Sequence, residues 1–364
     1  MIDLMGWDWN TAMIPYSERW RMHRRMLNQN FRAKAALEFR PRQASNAADL
    51  VRRLSEDPKD FVQHIRTFAA SVSMAIAYGH EVTSTSDHLV DIADRAFAML
   101  SGAVFPGVMA VNTLPFPAPR NDLQNTESWF QETGCAPASL ATMLMRANEV
   151  NSTGNAHDEA AKEVSAIAYA AGADTTVSAL STAILALLLH PEVQQRAQRE
   201  IDSTVGRERL PSFDDRAELP YVSAVCKEVL RWQVVANLGV PRASLADDVY
   251  EGMFIPKGTQ IFPNVWAMLH DSEKYPEPEA FKPERFLTPE GKLNNDNVDA
   301  AFGFGRRAKD EQGNDVPVDI VYSNGMVRGG VMLAGMTKLG DTTHEEQRAS
   351  SGISTLQDYL RGVA

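Results

Sequence analysis

Cysteine is scarce: Cys135 and Cys226 are the only two in 364 residues. That number excludes a disulfide framework and a thiolate-built zinc site, and it fits a reducing compartment. Positive charge is also in deficit, with 36 Lys and Arg against 47 Asp and Glu and a net charge of −11. A chain with that balance does not attract nucleic acid, although Arg19, Arg21, Arg24 and Arg25 form one local basic cluster. The most strongly apolar run, 179–189, is well short of the roughly 20 residues that cross a bilayer. The opening MIDLMGWDWN has the pattern of neither a signal peptide nor an anchor, so the expectation is a soluble cytoplasmic chain. Strand signals are few, and internal repeats, low-complexity tracts and clear linkers are missing. The 44% apolar content still suffices for a large core in one big domain or two smaller ones.

What the sequence does have is a long apolar stretch, EVSAIAYAAGADTTVSALSTAILALLLHP at 163–191. Its all-round apolar pattern predicts a core helix over 163–190, stopped by His190-Pro191. The least helix-friendly residues, Gly172, Asp174, Thr175 and Thr176, sit at its middle. Glycine costs about 1 kcal/mol relative to alanine in a helix, and a carboxylate among apolar neighbours needs a partner. Thr175 can turn its hydroxyl onto the carbonyl of Ala171, opening a groove lined by a glycine, a carboxyl and a hydroxyl. Two other arrangements fit equally well: a break with Asp174 as the N-cap of a second helix, or Gly172 serving close packing alone.

Before this stretch, Ser17 can cap a helix through SERWRMHRRMLNQNF, with Trp20 and Arg24 four apart on one face. A Trp and an Arg so placed can grip an anion; the ordinary reading is a solvated basic face. Further helices are expected over 33–55, 60–78 and 87–103, ending near Pro58, Gly79 and Phe105-Pro106. A proline-broken loop follows over 106–119, then a weaker amphipathic segment over 139–149. After the long stretch, 191–206 reads as an exposed helix closed by Gly206, and LPYVSAVCKEVLRW as a helix beginning after Pro220. Glu228 and Arg231 can pair there, but Glu-x-x-Arg also occurs at Glu18 and Arg21 and at Glu345 and Arg348. DVYEGMFIPKGTQIF at 248–262 reads as a hairpin turning at Pro256-Lys257-Gly258. YPEPEAFKPERFL and AAFGFGRR are loops of the kind that carry sites on a helical scaffold.

WRMHR, AGADTT, KEVLR, FKPERF and AFGFGRR, in this order and at these separations, resemble the cytochrome P-450 family of haem-thiolate monooxygenases, fungal members most closely. The resemblance covers roughly residues 1–307. It implies a mainly α fold with a small β portion, a haem cofactor, an apolar organic substrate, and an NADPH-dependent reductase as partner. It also implies an oxygen-binding groove at Ala171 and Gly172, with Asp174 and Thr175 delivering protons. Glu228, Arg231 and Arg285 would form a buried ion network. Trp20, Arg24, Arg242 and Arg307 would hold the haem propionates, and Phe302, Gly303 and Gly305 would lie in the loop beneath the porphyrin.

The resemblance also locates a break. Past Arg307 the family has one residue and then the cysteine that binds iron, whereas this chain has Ala308 and then Lys309. No metal ligand is therefore assigned. Because the thiolate supplies the electron density that favours O–O cleavage, the chain as written is expected to be inactive. KDEQGNDVPVDIVYSNGMV resembles the sequence that follows the family's ligand loop and next helix, which points to a segment skipped between Arg307 and Ala308. Residues 328–364 form an unassigned tail expected to pack poorly, leaving 1–327 as one incomplete domain. By family standards the early strands, helices and membrane anchor are lacking as well; the complete member would sit at the endoplasmic reticulum. These losses are expected to leave apolar surface uncovered. The competing reading is a catalytically dead helical scaffold that binds an apolar ligand or a partner without haem.

Overall fold

A computed structural model describes residues 9–31, 33–82, 87–103, 139–151, 155–304, 308–309 and 315–316. The proline-rich loop, Cys135, Gly305, Arg307 and the tail 328–364 lie outside the described residues. The helices are α1 Glu18–Phe31, α2 Ala33–Ala36, α3 Arg40–Glu56, α4 Phe61–Tyr78, α5 His88–Ala103, α6 Leu140–Asn151, α7 Asn155–Leu189, α8 Pro191–Thr204, α9 Pro220–Trp232 and α10 Val265–Leu269. The short strands are β1 Arg242–Ala243, β2 Asp248–Tyr250, β3 Met253–Ile255, β4 Gln260–Ile261, β5 Ala308–Lys309 and β6 Asp315–Val316. This is the mainly α architecture with a small β portion that the sequence predicts.

The long stretch is one continuous helix. At 35 residues α7 runs about 52 Å, and it begins eight residues earlier than the apolar pattern predicts. There is no break at Asp174, so the two-helix arrangement is ruled out. By length and composition α7 could cross a membrane; α1, α4, α6, α8 and α9 all pack on it, as on a core helix. Its fully or nearly buried positions include Val164, Tyr169, Ala173, Thr182 and Ala186. It stops where expected: His190 leaves the helix at φ −125°, and Pro191 opens α8, a position at which its missing N–H costs nothing.

Local sequence accounts for most other boundaries. Ser17 Oγ accepts from Trp20 N at 3.2 Å and caps α1. Gly79 ends α4 at φ 72°, a left-handed conformation that glycine adopts without penalty. The expected single helix over 33–55 is interrupted by a tight turn, Leu37–Phe39, with Pro41 entering α3 in its first turn.

The hairpin needs correction. Its turn is Glu251-Gly252, with both residues at positive φ (49° and 80°), and β2 pairs with β3 in the register Val249 opposite Phe254. Two positive φ values define the turn that matches strand twist, and glycine suits the second position. Pro256-Lys257-Gly258 instead turns the chain into β4, which pairs antiparallel with β1.

Candidate functional site

Two buried charges anchor the C-terminal half. Glu228 and Arg231 are one turn apart on α9, and neither side chain has any exposure. Arg231 donates from Nε to Glu228 Oε2 at 2.6 Å and from Nη2 to Oε1 at 2.9 Å. Its remaining donors reach the carbonyls of Leu269 at 3.0 Å and Ala280 at 3.3 Å. Glu228 Oε1 also accepts from Lys282 N at 2.8 Å and Arg285 Nε at 3.2 Å. Arg285 in turn donates to the carbonyls of Pro276 and Ala280. The structure therefore brings Glu228, Arg231 and Arg285 together, and their donors and acceptors are matched as buried charges require. Of the three Glu-x-x-Arg pairs, this one alone is drawn into the core among the described residues, since Glu18 is exposed and Glu345 lies outside them.

On α7, Thr175 Oγ1 donates to the carbonyl of Ala171 at 2.6 Å. Ala171 and Asp174 are exposed on this side of the helix. Protein packed around the Asp174 carboxyl nevertheless pushes its pKa up, with Arg66 of α4 opposing the shift. Asp94 of α5 is also pushed up, first by burial and then by the charge of Asp174. Tyr169, five residues before Asp174 and almost fully buried, donates to Asp94 Oδ1 at 3.3 Å. The middle of α7 is thus a small acidic centre in which both carboxyls are held above their ordinary range.

Gly172 faces away from that centre. A Cβ there would lie 2.7 Å from Ser73 Oγ of α4. Its role in the described structure is close approach of two helices, the packing alternative left open by the sequence.

Trp20 is buried at 8% exposure, with its ring 5.3 Å from that of Tyr16, while Arg24 is exposed. The same helix also buries His23 completely. His23 Nδ1 is 2.8 Å from Thr11 Oγ1, and Nε2 is 2.9 Å from Glu163 Oε2 of α7. Arg19 pairs with the same carboxylate, Nε reaching Oε2 at 3.2 Å. Burial pushes the Glu163 carboxyl up, but His23 and Arg19 outweigh it and hold it below its ordinary range. Sequence reasoning missed this cluster. The signal was present in Arg19 and His23 at i and i+4, and in the one carboxylate opening the apolar stretch.

Arg242, half-buried in β1, donates from Nη2 to the carbonyl of Phe304 and so ties the strand to the loop after Phe302. Phe302 is 55% exposed, and Gly303 stands at φ 79°. Trp20 and Arg242 are donors of the kind that haem carboxylates take. The iron side differs. Ala308 and Lys309 lie in β5, paired with Val316 and Asp315, and neither side chain carries sulfur. Cys226 has surface exposure on α9, but dense protein beneath it pushes the thiol's pKa up, against thiolate formation. The described residues fit the carboxylates of a haem and do not fit its iron. A separate depression of about 500 Å³, lined by Leu269, Lys274, Asp296 and Ala300 among others, contains none of these groups.

Comparison with known proteins gives the family. The family model described as Cytochrome P450 matches residues 7–132 and 120–308. A cytochrome P450 monooxygenase of Armillaria gallica is 35% identical over 336 residues, 85% of this chain and 65% of that protein. Cytochrome P450 monooxygenase 208 of Postia placenta is 37% identical, covering 84% and 64%. Tryptamine 4-monooxygenase of Psilocybe cyanescens is 34% identical, covering 84% and 66%. The chain spans slightly less than two thirds of the length of the first two.

Proposed function

This chain belongs to the cytochrome P450 family, whose cofactor is haem, and from that premise we propose a monooxygenase lineage impaired at its iron ligand. The complete form inserts one oxygen atom of O2 into an apolar organic substrate. The second oxygen leaves as water, with two electrons from NADPH through a reductase and two protons balancing the reaction. Haem, when bound, would supply the oxygen chemistry; on the resemblance Trp20, Arg24, Arg242 and Arg307 would hold its carboxylates, and Phe302 and Gly305 would belong to the loop that receives it. Asp174 holds a proton at higher pH than an ordinary carboxyl. Thr175, whose hydrogen is donated to Ala171, keeps oxygen lone pairs to accept one. Ala171 borders this groove, Gly172 packs the helix against Ser73 of α4, and the Glu228, Arg231 and Arg285 network has a structural role near the haem by the resemblance.

The observation that carries the impairment is Lys309 at the position where the resemblance requires cysteine. An ammonium donates hydrogen bonds and cannot stand in for a thiolate's electron donation. The test is the spectrum of the purified full chain, produced with haem supply, reduced and saturated with carbon monoxide. The expected result is no band of the thiolate-ligated type. Such a band would overturn the impairment. Complete absence of haem uptake favours the haem-free scaffold instead.

A further inference from the structure

The His23 cluster lies outside the groove and the ion network, and the proposed chemistry leaves it without a role. We propose that His23 and Glu163 are positioning residues that fix the roll of α1 on α7 and thereby aim Trp20 and Arg24; this rests on the reading that these two face haem carboxylates.

The argument is geometric. Successive helical residues are about 100° apart, so the row of Arg19 and His23 and the row of Trp20 and Arg24 lie on adjacent faces. The first row is tied to a single carboxylate on α7, by His23 at 2.9 Å and by Arg19 at 3.2 Å. Rolling α1 would break both contacts. The imidazole is held at its other end too, since Nδ1 meets Thr11 Oγ1 at 2.8 Å. With Nδ1 bonded to Thr11, Nε2 at ion-pair distance from Glu163 Oε2 and no exposure, the ring links the lead-in segment, α1 and α7. Met26 on α1 packs in one apolar cluster with Ala160, Ala161 and Val164 on α7. Apolar contacts of this kind tolerate rotation and sliding by small steps, whereas the directional Arg19–Glu163 and His23–Thr11 hydrogen bonds do not. Glu163 is eight residues before Ala171 and twelve before Thr175, which places it about 12 and 18 Å along the same rigid helix. One carboxylate therefore sets the helix carrying the carboxylate-binding pair against the helix carrying the proton-holding pair.

The test compares full-length wild type, His23→Phe, His23→Gln and Arg24→Ala by two readouts, haemin titration followed by absorbance and hydrogen exchange of peptides. Gln retains a donor for Glu163, and Phe does not. The expected result is haemin affinity lowered about tenfold in His23→Phe, as for other outer-shell losses, with His23→Gln within about twofold of wild type. Exchange should accelerate in residues 18–31 of His23→Phe and remain unchanged in 220–232. Equal affinities in His23→Phe and wild type, or faster exchange in both regions, would overturn the positioning role. If Arg24→Ala binds haemin as wild type does, or wild type binds none, it is the carboxylate reading that fails. Exchange then still decides whether His23 fixes α1: acceleration confined to 18–31 and reversed by Gln supports it, and any other pattern overturns it.

Discussion

Arg231 grips Glu228 with two guanidinium nitrogens, at 2.6 and 2.9 Å, where neither side chain meets solvent. Removing one partner of such a pair leaves the other buried and uncompensated, at a cost of about 3–5 kcal/mol. Arg231→Ala should therefore lower unfolding free energy by about that amount in urea titration, or prevent folding. Arg285 retains 10% side-chain exposure and touches Glu228 through one 3.2 Å contact. Arg285→Ala should cost clearly less, and the reverse order would show that the network's centre has been misplaced.

The acidic centre on α7 predicts a pH effect of opposite sign to that of salt-bridged carboxylates. Asp94 and Asp174 both have raised folded-state pKa values. The folded chain then binds more protons than the unfolded one, so stability is fullest below about pH 3.9 for these groups and falls as pH rises through their folded pKa values. Asp174→Asn should be more stable than wild type at pH 7, with the gain shrinking at pH 4. A gain that grows on acidification would contradict the assignment.

Glu163 runs the other way. Its folded-state pKa is lowered, so its contribution is present above the ordinary glutamate range near pH 4.3 and lost as pH falls through the lowered value. Glu163→Gln should therefore narrow its stability deficit relative to wild type between pH 6 and pH 3, as read by thermal unfolding.

At Gly172 two effects compete. Alanine would recover about 1 kcal/mol of helix propensity. Its Cβ would crowd the Ser73 hydroxyl, which can rotate, and meet the Ser73 Cβ at an ordinary 3.6 Å, so Gly172→Ala should change stability little. Gly172→Leu must push α4 away and should cost about 1–3 kcal/mol by the usual penalty for overpacking. Equal effects of the two substitutions would mean that the helices do not approach closely here.

Val249, Tyr250, Met253 and Phe254 are each at least 60% exposed on the β2–β3 hairpin. Exposed apolar surface on both faces of a hairpin promotes self-association. Light scattering of the purified chain should show concentration-dependent oligomers that diminish in the double variant Val249→Thr, Phe254→Lys, which changes one cross-strand pair.

The legible parts of this molecule were those governed by short-range rules. Helix stops at Gly79 and His190-Pro191 are fixed by dihedral restrictions, and the Thr175 bond to Ala171 by four-residue geometry. Glu228 with Arg285 became readable through the resemblance, because 57 residues separate them and no local pattern connects them. The hairpin turn was misplaced because Pro256-Lys257-Gly258 carries the stronger composition signal, while Glu251 adopts a positive φ that its residue type does not advertise. Nor could periodicity show that Glu163 belongs with His23, at a sequence distance of 140 residues, or that Gly172 meets Ser73.

The knot around Glu228 also has a consequence for the order of folding. Its α9 pair forms within one turn, but such a pair is worth only a few tenths of a kcal/mol on an exposed helix. Its other bonds come from Leu269, Ala280, Lys282 and Arg285, which lie 38 to 57 residues from their α9 partners. Closing a loop of that length carries an entropic cost that local contacts do not meet. The segment from Leu269 to Arg285 therefore closes late in refolding and opens early in unfolding, and a protease acting on the partly opened chain would cut there while α9 still holds its helix.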